Sequence, residues 1–183
     1  AFPLDSGIEF VSGNFPHVRE LERARYGRTY LRDYFTRNNI DLVFGIGTFE
    51  TLYAITPCKD CGASLVFCDH GALVNQWADR KMRVIRYLDA KFSDRVVVLT
   101  EDNGEDYRRL FHIPERKIAC IPNAVPSELS DCGANYDPET KRIVWAGRLS
   151  PEKGVDHLVE IAKRVMPCFP DWKMDIFGDV DPS

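Results

Sequence analysis

The residues of this sequence best placed to do chemistry lie in the run Gly147-Arg148-Leu149-Ser150-Pro151-Glu152-Lys153-Gly154. The apolar tetrad Ile143–Ala146 before it reads as a buried strand, which Gly147 ends at a sharp turn. Ser150 suits an N-cap and Pro151 a first helical position, so the sequence predicts a helix from Pro151 to Val165. Arg148 and Lys153 then bracket a helix N-terminus, whose free N–H groups and about half a positive charge attract anions. A planar guanidinium and a mobile ammonium at that end suit a diphosphate. A second candidate is His70, which follows the apolar run Ser64–Cys68 in the sequence Asp69-His70-Gly71. Ligands of open parallel sheets sit at the carboxyl ends of strands, and His70 falls at such an end. Cys58-Lys59-Asp60-Cys61 has the spacing of a zinc knuckle or redox pair, but no second pair follows to complete four ligands. Phe44-Gly45-Ile46-Gly47 offers the start of a dinucleotide fingerprint, with Glu50 where the last glycine should stand.

The run Gly147-Arg148-Leu149-x-x-x-Lys153-Gly154 resembles the donor-phosphate motif of family 4 glycosyltransferases, retaining enzymes of the GT-B fold. Upstream, Ile121-Pro122-Asn123-Ala124-Val125 resembles the I-P-N-G-V segment that precedes the second domain in that family. The resemblance covers roughly residues 29 to 179 and is strongest from Val96 onward. It implies an α/β chain of two Rossmann-like, doubly wound parallel sheets, both incomplete here, with catalysis in the cleft between them. It implies a nucleotide-diphosphate sugar as donor, a saccharide or lipid-linked acceptor, and no cofactor or metal. His70, Arg148 and Lys153 become the catalytic candidates, with His70 near the transferred sugar and the two cations on the leaving diphosphate. Gly147, Arg148, Lys153, Gly154 and Gly178 become the donor-binding set. Val180 stands where the family usually has a second glycine, and the family's Glu-x7-Glu motif belongs beyond Ser183. Two other readings carry different chemistry: an NAD-type dehydrogenase, which the Glu50 position opposes, and a non-catalytic nucleotide- or partner-binding module of the same fold.

Composition bounds these readings. The 183 residues are 44% hydrophobic and 11% aromatic, which marks a globular chain able to bury a core. A net charge of -4 argues against a dedicated nucleic-acid binder. No apolar run approaches the ~20 residues needed to span a bilayer, and the first residues lack the order of a signal peptide, so the expectation is a soluble, cytoplasmic protein. Cysteines at 58, 61, 68, 120, 132 and 168 are then expected as free thiols.

The elements expected to position the candidates alternate along the chain. Ile8–Val11 is a short strand candidate, and with no start methionine the opening reads as the middle of a domain, so the chain is expected to be a fragment. His17–Asn38 is a helix with six arginines against three acids. Asp41–Ile46 reads as a strand buried on both faces, Thr48–Ile55 as a short helix before a Pro57 loop, and Ser64–Cys68 as another buried strand. Leu73–Phe92 reads as one long basic helix, Arg95–Thr100 as a strand, Glu101–Phe111 as a helix and Lys117–Ile121 as a strand. This alternation implies right-handed crossovers and a parallel sheet. Residues 1–126 form the partial acceptor-side domain, residues 127–140 the polar linker, and residues 141–183 the start of the donor-binding domain. That last part holds a strand, an amphipathic helix with Val155, Leu158, Val159, Ala162 and Val165 on one side, and the strand Lys173–Phe177. The two basic helices suggest peripheral, salt-sensitive contact with anionic membrane or a phosphate-bearing acceptor.

Overall fold

The computed structural model describes residues 7–13, 20–125, 137–150 and 153–179. The chain divides into two compact units, Ala1–Ala124 and Val125–Ser183. Both are built on parallel strands, as the strand–helix alternation requires.

In the first unit four strands, β1 (Leu42–Ile46), β2 (Ser64–Asp69), β3 (Arg95–Val98) and β4 (Ile118–Cys120), lie side by side in chain order. All pairs are parallel, with Phe67 opposite Val96 and Asp69 opposite Val98. Helix α1 (Glu20–Arg37) precedes β1, and helices α2 (Thr48–Cys61), α3 (Arg80–Phe92) and α4 (Glu101–Phe111) supply the crossovers. Leu65 packs with Phe35, Ala54 and Cys58 of α1 and α2, while Phe67 packs with Ala90, Tyr107 and Phe111 of α3 and α4. Leu65 and Phe67 are two residues apart on one strand and so share a face. Helices α2, α3 and α4 therefore cover one side of the sheet, as right-handed crossovers between strands taken in order demand, and α1 joins them there by packing on α2.

Several expected elements are redrawn. Asp41–Ile46 is not buried on both faces: among the described residues β1 is the edge strand, and Leu42, Phe44 and Ile46, on one face of it, are 50%, 58% and 61% exposed. The expected strand Ile8–Val11 pairs with nothing among the described residues, and Phe10 is exposed. The short helix before Pro57 continues through it to Cys61. A mid-helix proline forfeits one backbone bond, but here Ala54, Pro57 and Cys58 are buried against α1 and the sheet, and Gly62 ends the helix in a left-handed turn. The single long helix Leu73–Phe92 is a 3-10 turn at Leu73–Gln76 followed by α3, whose N-terminus is capped by Asp79 accepting from the Met82 N–H at 3.1 Å. Its C-terminal end is held by the Lys117 ammonium, which donates to the Ala90 and Lys91 carbonyls at 2.9 and 3.1 Å.

In the second unit β5 (Arg142–Ala146) pairs in parallel with β6 (Lys173–Phe177), joined by α5 (Val155–Val165). Arg142 Nε donates across the strands to Asp175 Oδ2 at 2.8 Å. Ile143–Ala146 is expected as a buried strand, yet Val144 is 63% exposed, because a two-stranded ribbon has little to cover it. The helix expected from Pro151 begins at Val155. Gly154 sits left-handed at φ 71 ahead of it, which interrupts any continuous run, and Pro151 lies outside the described residues. Residues 127–136 of the expected linker lie outside them as well. Among the described residues no helix is long and apolar enough to cross a membrane.

Candidate functional site

In the second unit the candidate residues meet where the two strands end. The pairing of β5 and β6 runs on past both strands: the Gly147 N–H donates to the Phe177 carbonyl at 3.0 Å and the Leu149 N–H to the Asp179 carbonyl at 2.9 Å. Gly178 lies between those two bonds with its backbone against Gly147. A Cβ there would stand 1.8 Å from the Gly147 oxygen, so only glycine fits. The chain then turns tightly, with the Ser150 N–H on the Arg148 carbonyl and the Lys153 N–H on the Ser150 carbonyl. Arg148 and Lys153 are both exposed in this turn. Among the described residues no side chain caps α5. Ser150, the expected cap, is instead buried, and its hydroxyl has no hydrogen-bond partner among the described residues. Gly147, Arg148, Lys153, Gly154 and Gly178 thus share one corner at the carboxyl ends of two parallel strands. It has exposed cations and first-turn N–H groups that no side chain among the described residues caps, an arrangement that favours an anion.

In the first unit His70 is exposed immediately after β2. What holds it there was not legible beforehand. Asp69, 2% exposed, accepts from Arg86 Nη1 at 2.7 Å, from the Tyr107 hydroxyl at 2.7 Å and from the Gly71 N–H at 3.0 Å. Arg86 also donates to Gln76 Oε1 at 2.8 Å. Asn103 grips the same loop from α4: its amide donates to the Gly71 carbonyl and its oxygen accepts from the Leu73 N–H. Side chains of α3 and α4 therefore fix both ends of the turn that presents His70. Arg86 reads in the sequence as one more surface cation of a basic helix; it is 5% exposed and ion-paired. The signals that could have found it are Asp69 at a strand end and the i, i+4 spacing of Asn103 and Tyr107.

Burial raises the Tyr107 phenol far above its ordinary range, with the Asp69 charge adding to the effect. Asp89, one helical turn beyond Arg86, is wholly buried with both carboxylate oxygens unpartnered among the described residues. Burial first, then the Asp69 charge, push its pKa up to about 8, while Arg86 pulls the other way.

The remaining candidates resolve differently. Cys58 and Cys61 lie on the last turn of α2, and the Cys58 thiol is buried, with its pKa pushed up to about 12 by burial and by Cys61. A thiol held protonated is a poor metal ligand and a poor nucleophile. Among the described residues no group of three or more His, Cys, Asp or Glu side chains could hold a metal ion. At the Gly45-Ile46-Gly47 corner the Gly47 N–H is spent on the Cys68 carbonyl, and a Cβ on Gly47 would lie 2.6 Å from a Glu50 carboxylate oxygen. A carboxylate there repels the pyrophosphate that a dehydrogenase must seat, which opposes that reading further.

Comparison with known proteins places this chain in a family. A profile of Glycosyltransferase Family 4 matches residues 2–129, so the match rests on the first unit, not on the 143–154 corner. An exopolysaccharide phosphotransferase of Streptomyces coelicolor is 33% identical over 96 residues, 50% of this chain but 9% of that protein. Among solved structures, the chain is similar to TarM (TM-score 0.68, 19% identity, 84% of this chain and 31% of that one). It is also similar to Anabaena HepE in complex with UDP and glucose (TM-score 0.65, 17% identity, 92% and 47%). A Neisseria meningitidis UDP-GlcNAc 2-epimerase bound to UDP-GlcNAc resembles it at TM-score 0.58, with 14% identity and 92% and 56% covered. The chain spans about half or less of the length of most of these proteins. At such identities the likeness speaks for the fold, which is α/β with parallel sheets of the GT-B type. With the profile covering most of its residues, the chain belongs to Glycosyltransferase Family 4.

Proposed function

We propose that this chain is part of a retaining glycosyltransferase that moves a sugar from a nucleotide-diphosphate sugar to a saccharide or lipid-linked acceptor. The observation that carries the reading is the β5–β6 corner: Gly178 packed on Gly147, an uncapped helix beyond, and Arg148 and Lys153 in the turn between. Breaking the anomeric bond leaves negative charge on the diphosphate while the sugar becomes cation-like. Fixed positive groups help most where charge develops, so Arg148 and Lys153 stabilise the departing diphosphate beside the α5 N–H groups. In this reading Gly147, Gly154 and Gly178 let backbone approach the donor, and the pinned Asp69–Gly71 turn presents His70 to the transferred sugar. The reading needs no metal and no cofactor. UDP, glucose and UDP-GlcNAc are named for the fold neighbours, which supports a nucleotide sugar as donor.

The same corner could serve an epimerase, the activity named for some neighbours, or a binding module without turnover. Family membership favours transfer. The test is a thermal-shift screen of UDP-, GDP- and ADP-sugars with the full-length protein, followed by product analysis with the donor that raises the melting temperature. Arg148→Ala and Lys153→Ala are each expected to lower turnover by about 10²–10³-fold, as loss of one preorganised donor does. Their melting temperatures should barely move, since both side chains are exposed. His70→Ala should lower turnover with donor affinity retained. Wild-type turnover in both cation variants would remove the diphosphate assignment, and a 2-epimerised nucleotide sugar as sole product would replace transfer with epimerisation.

A further inference from the structure

The first unit carries a second concavity chemistry on its helical side, away from the strand ends. On α1, Arg25, Arg28, Thr29 and Arg32 follow the i, i+3, i+4, i+7 spacing that puts them on one stripe. Together with Thr56 and Asp60 of α2 they line a cleft of about 350 Å³. Three guanidinium groups within about 10 Å of helix axis repel one another. Asp60 is the one carboxylate lining the cleft, so its walls carry a net charge of +2. Among the described residues no carboxylate pairs with Arg25 or Arg28. Arg28 is held in place, its Nε donating to Thr56 Oγ1 at 2.7 Å.

Arg28 and Thr56 also line a second groove of about 330 Å³, which is mainly apolar and is walled by Leu52, Tyr53 and Ile55 of α2 and Leu88 and Phe92 of α3. Phe92 is 60% exposed at its rim. The two concavities therefore meet at one oriented arginine, a basic cleft on one side and an apolar trough on the other. Arg32 has a long ion pair with Asp33 at 3.5 Å. An inorganic anion would leave the trough empty, and a neutral lipid would leave Arg25 and Arg28 without a counter-charge. A bilayer surface is flat, whereas each recess is the size of part of one small molecule.

We propose that these joined clefts bind a single phosphate-bearing lipid. Its phosphoryl group is held by Arg25, Arg28 and Arg32 and its apolar chain lies along Leu52, Ile55, Leu88 and Phe92. Guanidinium forks match phosphoryl oxygens two at a time, and an oriented Arg28 places the headgroup at the mouth of the trough. The site stands independently of the transfer reading, since none of its residues belongs to the proposed donor corner or to the His70 turn.

The test is calorimetric titration of the full-length protein with inorganic phosphate and with butyl, hexyl and octyl phosphate, each below its micellar concentration. Affinity should rise about two- to fourfold per added methylene, the span expected for partial to full burial of each. Octyl glucoside, with the same tail and no charge, should bind at least tenfold more weakly than octyl phosphate. Arg28→Gln combined with Arg32→Gln should weaken octyl phosphate by at least tenfold. Phe92→Ser should flatten the chain-length dependence and leave inorganic phosphate unchanged. All three side chains are exposed, and circular dichroism of each variant checks that it folds. Affinity independent of chain length, equal binding of octyl glucoside, or no effect of the arginine variant would overturn the proposal. So would binding to anionic vesicles with none to monomeric alkyl phosphates, which would make the surface a membrane contact.

Discussion

Asp89 and Arg86 stand one turn apart on α3, yet only Arg86 has partners. Arg86 is answered by Asp69 and Gln76, whereas Asp89 is buried with no hydrogen bond among the described residues and titrates near 8. An ionised carboxylate there would cost several kcal/mol, so the folded protein keeps the proton. The folded pKa lies above that of the unfolded chain. The group's contribution to stability is therefore complete below the ordinary carboxylate range and is lost progressively as pH rises through about 8. Each unit of that shift is worth about 1.4 kcal/mol, so the whole effect is a few kcal/mol. Asp89→Asn cannot ionise and should remove this slope. Thermal denaturation at about pH 5 and about pH 8.5 should show the natural protein losing clearly more melting temperature than the variant. Equal losses would mean that Asp89 is solvated or paired.

Elements differ in how much of them the sequence discloses. The core of α4 was legible because its signals are local: Thr100 caps it by accepting from the Asn103 N–H, and His112 closes it in a left-handed turn. Continuation of α2 through Pro57 was not, because the burial that offsets the lost bond comes from α1 and the sheet. The Asp69–Arg86 pair joins residues 17 apart on different elements, which no periodicity reveals. At the β5–β6 corner the glycines were legible, but the strain that Gly178 relieves exists only once the strands pair. Gly178→Ala tests that corner directly. Its methyl would overlap the Gly147 oxygen, and backbone cannot swing aside as a side chain can. The strand ends must part, at a cost of roughly 1–3 kcal/mol within this unit. Hydrogen exchange should show the Gly147 and Leu149 amides losing protection while amides of β2 and β3 keep theirs. Unchanged protection at Gly147 would show that the close approach is not maintained in solution.

At the scale of the molecule, the parallel α/β class was legible from strand–helix alternation, while the uneven distribution of core was not, since apolar runs look alike whether or not something covers them. Every buried hydrophobic residue among those described lies between Phe35 and Ile113. In the second unit Ser150 is the one buried residue described, and Val144, Ile161 and Phe177 are each more than half exposed. Two strands and one helix exclude little water from one another, and about three strands with a covered face are normally wanted for independent stability. The 183 residues taken alone should therefore show two levels of stability: a cooperative first unit, and a second unit that opens readily. Limited proteolysis should cut first after Val125 and leave a resistant piece ending near Ala124. The β5–β6 corner proposed to seat the donor would then be formed only part of the time, and binding is weakened in proportion to the fraction formed. The 183-residue chain should accordingly fail to transfer sugar from any nucleotide sugar, even where the full-length protein turns over. Transfer by the 183-residue chain at the full-length rate, or cleavage that begins within β1–β4 before the second unit is touched, would show that the second unit is stable on these contacts alone.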